Sequence, residues 1–299
     1  MILTVTLNMA LDVTYQVPAV EWDGVNRVGE VHRRAGGKGV NVARVLAALG
    51  REVLVTGLAG GPTGQAIEHD LRAAELPGAV FAVAGDSRTT LAVSETGERP
   101  ATTLFNEPGP EVTGEELAAF TRHYAALAAD AEVVVLSGSL PRGVPADFYA
   151  TLSGLTAAPV IVDADGDPLR HAPEGRPAIV KPNAEELARA VPGAPEEGAR
   201  ALRERGAESV VVSLGADGLL AVTGEGTFRA RMPYTVRGNP TGAGDSLVAG
   251  LALGLAEATP WPDRLRRAAA LGAAAVAAPV AGDFDRDVYA AILPQIVIT

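Results

Sequence analysis

The sequence predicts an α/β protein with a central, mostly parallel sheet and a small β-sheet lid. Runs rich in β-branched residues, such as Ile2–Leu7 and Glu132–Leu136, each lead through a polar turn toward a helical pattern, which is typical of parallel sheets. Residues 80–106 break that rhythm, because three short alternating stretches follow one another with no helix between them. We therefore expect a small β lid inserted into an α/β core.

The same pattern divides the chain into two parts. We expect the α/β core to comprise residues 1–11, 35–85 and 109–299, and the lid to comprise residues 12–34 and 86–108. A length of 299 residues accommodates one large α/β domain with such an insertion. A hydrophobic content of 47% is sufficient for a sizeable core.

Composition and charge argue against several classes of function. The net charge of -11 and the pI near 4.9 argue against general binding to nucleic acid or to anionic membranes. The absence of cysteine excludes disulfides and thiolate metal sites. The most apolar late stretch, Ala268–Ala281, is too short to cross a bilayer and is predicted to be a buried helix. We expect a cytoplasmic protein.

The individual elements follow from the same periodicities. Ile2–Leu7 is predicted to be a buried strand, and a helix is predicted to open at Gly36 and to end near Leu49, before Gly50. Further strands are predicted at 52–57, 80–84, 89–95, 101–106, 132–136, 160–163, 178–180, 209–213, 219–223 and 227–231, and further helices at 64–76, 113–129 and beyond Trp261.

The stretch Asn239–Ser246 is the clearest candidate for a functional loop. Gly242-Ala243-Gly244-Asp245 stands at the first turn of an apolar helix, where free backbone amides and the helix dipole favour an anion. A carboxylate beside a phosphate cradle repels the ligand unless it has a role such as accepting a proton. On this stretch alone, Asp245 is equally well interpreted as an ordinary aspartate at a helix N-terminus.

A second glycine-rich turn, Gly36-Gly37-Lys38-Gly39, opens the first helix. It is neither a Walker A loop nor a dinucleotide fingerprint, because its glycine spacing fits neither motif. Backbone amides and one ammonium group still form a plausible site for a polar or anionic ligand. Asp12 also follows a strand end, where α/β sheets bind ligands, although an ordinary turn aspartate is the simpler interpretation.

Two further clues come from residues 181–186. Asn183 and Glu186 have the spacing of a capping box, and this structural role is as plausible as a functional one. Lys181 and Lys38 are the only lysines among the 25 basic residues other than histidine, and both fall in loops selected on other grounds. A compact ammonium group is not replaceable by a planar guanidinium in a narrow site, although two residues can coincide by chance.

These motifs together resemble the PfkB family of sugar kinases, also called the ribokinase family. The two signatures are Gly36-Gly37-Lys38-Gly39-x-Asn41-x-Ala43 and Gly242-Ala243-Gly244-Asp245-Ser246. The resemblance covers nearly the whole chain, because the connecting motifs occur in the family's order: Ser137-Gly138-Ser139-Leu140-Pro141, Lys181-Pro182-Asn183-x-x-Glu186 and Ser213-Leu214-Gly215-x-x-Gly218. The N-terminal Thr4-x-Thr6-Leu7-Asn8-x-Ala10-Leu11-Asp12 resembles the hexose-phosphate kinase branch in particular.

The resemblance implies a ribokinase-like three-layer α/β/α fold, a lid that forms a homodimer contact, and ATP with Mg²⁺. It implies that Asp245 is the catalytic base and that the amides of Gly242, Ala243 and Gly244 form an anion hole. It further implies three sets of binding residues: Asp12, Arg27, Gly37, Lys38, Asn41, Arg88, Ser139 and Asp245 for the sugar phosphate, Lys181, Asn183, Ser213, Gly215, Gly218 and Gly244 for the nucleotide, and Asn183 with Glu186 for the metal, through water.

The expected reaction is therefore transfer of a phosphoryl group from ATP to a ketohexose phosphate, with fructose 1-phosphate as the first choice. Tagatose 6-phosphate and fructose 6-phosphate are the alternatives within the class, and a non-catalytic sugar-phosphate sensor is the alternative from another class. Met9 replaces the branch's usual proline. Thr90 stands where the branch has an asparagine, and Val25 where some members have a phosphate-binding lysine, so the choice of sugar phosphate stays open.

Overall fold

The computed structural model describes residues 1–96 and 101–299, which form two sheets surrounded by helices. The strands are β1 (Ile2–Thr6), β2 (Ala10–Val17), β3 (Glu30–Gly36), β4 (Val53–Ala59), β5 (Gly78–Ala82), β6 (Arg88–Glu95), β7 (Thr102–Asn106), β8 (Val133–Ser137), β9 (Val160–Asp163), β10 (Ile179–Val180), β11 (Val210–Ser213), β12 (Leu219–Val222), β13 (Thr227–Arg231) and β14 (Val297–Ile298). The helices are α1 (Lys38–Ala48), α2 (Gly61–Ala73), α3 (Gly114–Ala128), α4 (Phe148–Ser153), α5 (Gly166–His171), α6 (Ala184–Ala190), α7 (Pro195–Glu204), α8 (Ala243–Ala256), α9 (Trp261–Val276) and α10 (Arg286–Ile292). Residues 97–100, which the predicted lid range 86–108 includes, lie outside the described residues.

The main sheet has the strand order β14-β13-β12-β11-β10-β9-β8-β1-β4-β5. The strands from β11 through β1 to β5 are parallel, whereas β12, β13 and β14 pair antiparallel at one edge. Every residue of β1, β8 and β9 is buried, which fits a parallel sheet covered on both faces. The carboxyl ends of these strands therefore meet at one edge that other elements can reach.

Helices cover the two faces of the main sheet as separate layers, each with its own apolar cluster. On one face lie α1, α2, α8 and α9, and on the other face lie α3, α4, α6 and α7. Helices α8 and α9 pack closely because position 250 is glycine: a Cβ there would lie 2.7 Å from the Ala268 Cα atom. In the described part of the chain, no helix is long and apolar enough to span a membrane.

The small sheet has the strand order β3-β2-β6-β7 and stands at the same end of the molecule as the carboxyl ends of the main strands. Strand β2 pairs antiparallel with β3 and parallel with β6, and β7 completes the sheet antiparallel to β6. Its strands are less buried than those of the main sheet, since every residue of β7 is exposed. Glycine 36, at the end of β3, packs directly on the Asp12 carboxylate.

The structure corrects several element boundaries. The strand predicted at 80–84 is β5, which begins and ends two residues earlier and pairs parallel with β4 in the main sheet. Helix α2 starts at Gly61 rather than 64, since Pro62 is tolerated in a first helical turn. The helix predicted over the apolar stretch Ala268–Ala281 is the second half of α9, which passes through Gly272 and ends at Val276.

Candidate active site

The candidate loops converge at the carboxyl edge of the parallel strands. Strand β8 leads into Gly138 and Ser139, β9 ends at Asp163, and β10 leads into Lys181. The N-terminus of α8 approaches this edge, and the ammonium group of Lys181 would lie 3.6 Å from a Cβ at Gly244. Two cavities open near this edge, one lined by Lys38 and Gly138 and the other by Asn183 and Gly244.

The first turn of α8 carries a buried carboxylate. Of the three amides predicted to form an anion hole, that of Ala243 donates to the main-chain oxygen of Pro240 over 3.1 Å. Gly242 adopts a left-handed conformation with φ 84°, and a Cβ at this position would lie 2.9 Å from the Ala281 Cα atom. Asp245, in the first turn, is only 6% exposed, and its Oδ2 accepts a hydrogen bond of 2.8 Å from Asn41 Nδ2. Burial, together with the charge of Asp163, raises the pKa of Asp245 to about 6. A carboxylate with this pKa is ionised at neutral pH and is still able to accept a proton.

Beside Asp245, a second carboxylate holds both lysines of the chain. The Nζ atoms of Lys38 and Lys181 each lie 3.3 Å from the same oxygen, Oδ1 of Asp163. Ser137 Oγ donates a hydrogen bond of 3.2 Å to the other oxygen. Burial alone would raise the pKa of Asp163, but the two ammonium groups hold it below its usual range. Asp163 is therefore an anion in a site with two cations.

The first cavity has a volume of about 670 Å³ and lies under the small sheet. Of the residues predicted to bind sugar phosphate, Gly37, Lys38, Arg88 and Ser139 line it. The Arg88 Nε donates to the main-chain oxygen of Asn8 over 3.2 Å, so the guanidinium is held against the floor of the cavity. The chemistry of this wall suits an anionic, hydroxyl-rich ligand.

A row of polar residues crosses all four strands of the small sheet. Arg34, Asp12, Thr90 and Asn106 are partners in register on β3, β2, β6 and β7. Burial raises the pKa of Asp12 to about 6, against the opposing charges of Arg88 and Arg34. Asn106, opposite Thr90, lines the first cavity. In the hexose-phosphate kinase branch that the sequence resembles, an asparagine occupies the position of Thr90 on β6. Here the neighbouring strand β7 provides an asparagine amide instead, at Asn106.

The second cavity has a volume of about 610 Å³ and lies between α8, α9 and the β11–β12 turn. Predicted nucleotide residues line it: Asn183, Ser213, Gly215, Gly218 and Gly244. Its other walls are mainly apolar and include Met232, Leu247 and Ala273. This mixture of apolar walls and a few polar groups is typical of a pocket for a planar heterocycle.

Asn183 and Glu186 form a complete capping box at α6. Asn183 Oδ1 accepts from the Glu186 amide over 2.8 Å, and Glu186 Oε2 accepts from the Asn183 amide over 2.7 Å. The structural role is thus present, and Glu186 also lines the first cavity while Asn183 lines the second. Across residues 1–96 and 101–299, no three acidic or histidine side chains are arranged to hold a metal. One carboxylate and one amide oxygen fit Mg²⁺, which keeps several waters and binds substrate phosphates.

Most of the predicted site residues line the two cavities. Those that line neither are Asp12, Arg27, Asn41, Lys181, Gly242 and Asp245. Arg27 lies in the exposed segment between β2 and β3, and no ion pair involving it is formed among the described residues. Asn41 lies against Asp245 rather than in the wall of the first cavity. The structure adds Asp163, Asn106 and Arg34 to the surroundings of the site. Asp163 ends a predicted strand at the ligand edge, and this was the available signal for it.

Comparison with known proteins agrees with this geometry. The family model described as pfkB family carbohydrate kinase matches residues 5–285. Phosphofructokinase-2 from Escherichia coli, in a crystal structure with fructose-6-phosphate, is 30% identical with a TM-score of 0.88, over 97% of this chain and 98% of that one. The tetrameric inhibited form of the same enzyme has a TM-score of 0.89 at 30% identity, over 98% and 99% of the two chains.

A Thermotoga maritima protein named possible 1-phosphofructokinase is 25% identical with a TM-score of 0.89, over 100% of this chain and 98% of that one. These likenesses confirm the predicted ribokinase-like α/β/α fold with its smaller sheet. The family match and these structures also identify the protein as a phosphotransferase with a hydroxyl group as acceptor. The chain belongs to the PfkB family of carbohydrate kinases.

Proposed function

We propose that the protein transfers the γ-phosphoryl group of ATP to a hydroxyl group of a ketohexose phosphate, with fructose 1-phosphate as the preferred acceptor and fructose 1,6-bisphosphate as the product. The observation that carries this proposal is the position of Asp245. Its buried carboxylate is close to Lys38, which lines the first cavity, and it directly follows Gly244, which lines the second. A base between an acceptor pocket and a donor pocket is the arrangement that phosphoryl transfer requires.

The cations of the first cavity support the proposal that the acceptor carries a phosphate group. Lys38 and Arg88 line it, and Ser139 adds a hydroxyl group. Asp12 and Asn106 supply an acceptor and an amide for sugar hydroxyl groups along the row of the small sheet. In this arrangement the cations bind the phosphate group of the acceptor. The polar row of the small sheet distinguishes acceptors by hydrogen bonds to their hydroxyl groups. The solved relatives include a phosphofructokinase-2 with fructose-6-phosphate and a possible 1-phosphofructokinase, so both acceptors are tested below.

The donor is assigned to the second cavity, where apolar walls would hold the adenine and Ser213 and Gly215 the ribose side. Asn183 and Glu186 would hold Mg²⁺ through water. Bound Mg²⁺ neutralises phosphate charge that otherwise repels the attacking oxygen. Gly244, in the first turn of α8, lines the same cavity, and the amides of this turn would receive the transferring phosphoryl group.

Asp245 has the central chemical role in this proposal. Its carboxylate accepts the proton of the acceptor hydroxyl as the new oxygen–phosphorus bond forms and the bond to the ADP oxygen breaks. Asn41 fixes the orientation of the carboxylate through its amide, and the small sheet excludes water that would otherwise take the phosphoryl group. Positioning and charge stabilisation supply the rest of the rate enhancement.

Initial rates of ADP release test this function. The purified protein is assayed with Mg·ATP and fructose 1-phosphate, fructose 6-phosphate or tagatose 6-phosphate, and Asp245→Asn serves as the control for contaminating kinases. We expect the highest kcat/KM for fructose 1-phosphate. A higher value for either 6-phosphate would identify an alternative acceptor within the class. Binding of a sugar phosphate without ADP release would contradict the kinase and support a sensor.

We also propose that residues 12–34 and 86–108 act as a lid and that two copies associate through it. Of the nine exposed large apolar side chains among the described residues, six belong to these ranges: Trp22, Val25, Val28, Val31, Leu104 and Phe105. Exposed apolar groups concentrated on the small sheet and the β2–β3 connection are typical of an interface. Sedimentation of Phe105→Asp compared with wild type tests the proposal: we expect a shift toward the monomer, and an unchanged mass would contradict it.

A further inference from the structure

The buried carboxylate of Asp163 has no chemical step to perform in the proposed reaction, yet it is the most heavily contacted anion of the site. Its side chain is 1% exposed, it accepts from Ser137, and it touches both lysine ammonium groups. An isolated buried carboxylate is strongly unfavourable, so the lysines are needed to keep it charged. The reverse also holds, because the Lys181 side chain is only 4% exposed and needs an anion.

The two lysines face different cavities from this common contact. Lys38 lines the first cavity, and its side chain is 37% exposed. Lys181 lies beside Gly244, which lines the second cavity. Since both Nζ atoms contact the same oxygen, the two ammonium groups are separated by no more than twice the 3.3 Å contact distance. Two cations at such a separation repel each other unless an anion lies between them.

We propose that Asp163 is a positioning residue that holds Lys38 on the acceptor side and Lys181 on the donor side of the phosphoryl-transfer point. The inference rests on the proposed function for its cavities, while the contacts that carry it do not depend on the substrate. One carboxylate thereby fixes the spacing of the charges that meet the two substrates. This also accounts for the chain's use of lysine at only these two positions, because two compact ammonium groups fit on one carboxylate oxygen where two planar guanidinium groups would crowd.

The arrangement also acts on the base. The groups that face Asp245 are Asp163 from β9, Lys38 from α1, Lys181 after β10 and the amide of Asn41 from α1. With Asp245 ionised, the two carboxylates and two ammonium groups sum to zero charge before substrates bind. Removing the charge of Asp163 leaves Asp245 facing cations without a neighbouring anion, which favours its ionised form. The pH at which kcat falls on the acid side therefore depends on the charge of Asp163.

Lysine NMR tests the contacts without any turnover. Because the sequence contains only Lys38 and Lys181, ¹³C labelling at lysine Cε gives two side-chain signals, which Lys38→Arg and Lys181→Arg assign. Asp163→Asn is expected to move both signals, whereas the exposed Asp130→Asn is expected to move neither. In wild type, fructose 1-phosphate is expected to move the Lys38 signal and a non-hydrolysable ATP analogue the Lys181 signal. If Asp163→Asn left either signal in place, the shared contact would be overturned.

Kinetics test the positioning role. In Asp163→Asn we expect KM to rise at least about tenfold for both fructose 1-phosphate and ATP, and the acid limb of kcat to move to lower pH by roughly half a unit or more. A purely structural role would lower the active fraction but leave both KM values and the limb unchanged, and that result would overturn the proposal. Wild-type protein that turned over no ketohexose phosphate would instead refute the proposed function, and the NMR result would still decide the inference.

A double variant covers the case in which Asp163→Asn fails to fold. Lys181→Met and Asp163→Asn together remove the buried ion pair as a unit, which is tolerated better than removal of one partner. Relative to Lys181→Met alone, the double variant should raise KM for fructose 1-phosphate at least about fivefold, because Lys38 has lost its anchor. Equal KM values in these two variants would overturn the claim that Asp163 positions Lys38.

Discussion

The main sheet and the small sheet contribute different kinds of residue to the same site. The main sheet and α8 contribute Asp163, Lys181 and Asp245, each of which is at most 6% exposed. The small sheet contributes Asp12, Arg88 and Asn106 from strands that are half-buried or exposed. Groups held in a packed, parallel core keep a fixed geometry, whereas groups on a less packed sheet can differ between relatives at smaller cost.

This difference separates two tasks. In the proposed mechanism, the buried groups carry or support the chemistry, because proton transfer and charge stabilisation need fixed distances. In the same proposal, the groups of the small sheet meet the acceptor and set which sugar phosphate is chosen. Substitutions in the core are therefore expected to lower turnover with every acceptor, and substitutions in the small sheet are expected to change the preference among acceptors.

The largest effect is expected at Asp245. Asp245→Asn should keep the fold and nucleotide binding but lower kcat by roughly 10²–10⁴-fold, because a positioned general base contributes about that much. Steady-state kinetics with a thermal melt of the same preparation measure both properties. Asp130→Asn, at an exposed position, is the control and should have wild-type kcat. A kcat for Asp245→Asn above about a tenth of wild type would remove the residue from this role.

Arg88 should have the next largest effect, and only on phosphorylated acceptors. Arg88→Ala is expected to lower kcat/KM for fructose 1-phosphate by roughly 10- to 150-fold, the loss of one charge-assisted contact. The rate with unphosphorylated fructose, measured at high concentration, should change little. Equal losses for both acceptors would indicate that Arg88 maintains the cavity floor through Asn8 and does not bind the phosphate.

The two lysines provide a test within the core. Lys38→Arg should raise KM for the sugar phosphate at least about tenfold, with little change in melting temperature, because a planar fork does not fit where Lys38 contacts Asp163. Lys181→Arg should act mainly on KM for ATP, and more weakly. The control is Arg72→Lys on the exposed face of α2, which should be silent. A silent Lys38→Arg would make the shared use of lysine a coincidence.

The pH dependence follows from the two raised carboxyl pKa values. Asp245 must be ionised to accept a proton, so activity is lost as pH falls through its pKa of about 6. One pH unit below that value kcat should be about a tenth of its plateau. Asp12 has a similar pKa and faces the acceptor side, so kcat/KM should fall more steeply than kcat. A pH-independent kcat down to pH 5 would contradict the assignment of the base.

The smallest effect is expected at Asn106. Asn106→Ala should change the ratio of kcat/KM values for fructose 1-phosphate and fructose 6-phosphate by about threefold to tenfold, the range for one neutral hydrogen bond, while kcat stays near wild type. Thr103→Ala on the same exposed strand is the matched control. An unchanged ratio would mean that the row opposite Thr90 does not distinguish the acceptors.

The sequence predicted the ligand edge well, because glycine and hydroxyl residues after apolar strands have a local cause that is visible in the chain. The turn at Gly242–Asp245 and the capping box of Asn183 and Glu186 are such local features. The sequence placed Asp163 at the end of a strand, but this signal alone did not distinguish it from other aspartates at predicted strand ends, such as Asp12. Its importance comes from Lys38 and Lys181, which are distant in sequence and meet only in the folded sheet.

Residues of the small sheet were difficult to predict for a different reason, the register between its strands. Asn106 becomes relevant only through its register opposite Thr90, and register between distant strands is not contained in the alternation of either strand. Arg27 was predicted from a resemblance and lies in the exposed segment, so its role stays a prediction. The strand at 80–84 was assigned by alternation alone, although its place after α2 decides that it joins the main sheet.

One measurement tests most directly whether the main sheet supports the chemistry and the small sheet selects the acceptor. The ratio of kcat/KM for fructose 1-phosphate to that for unphosphorylated fructose is determined in wild type, Arg88→Ala and Lys181→Arg. We predict that Lys181→Arg lowers both rates together and leaves the ratio unchanged, while Arg88→Ala lowers the ratio at least about tenfold. If Arg88→Ala left the ratio unchanged, or if Lys181→Arg lowered it equally, the division of chemistry and acceptor selection between the two sheets would be contradicted.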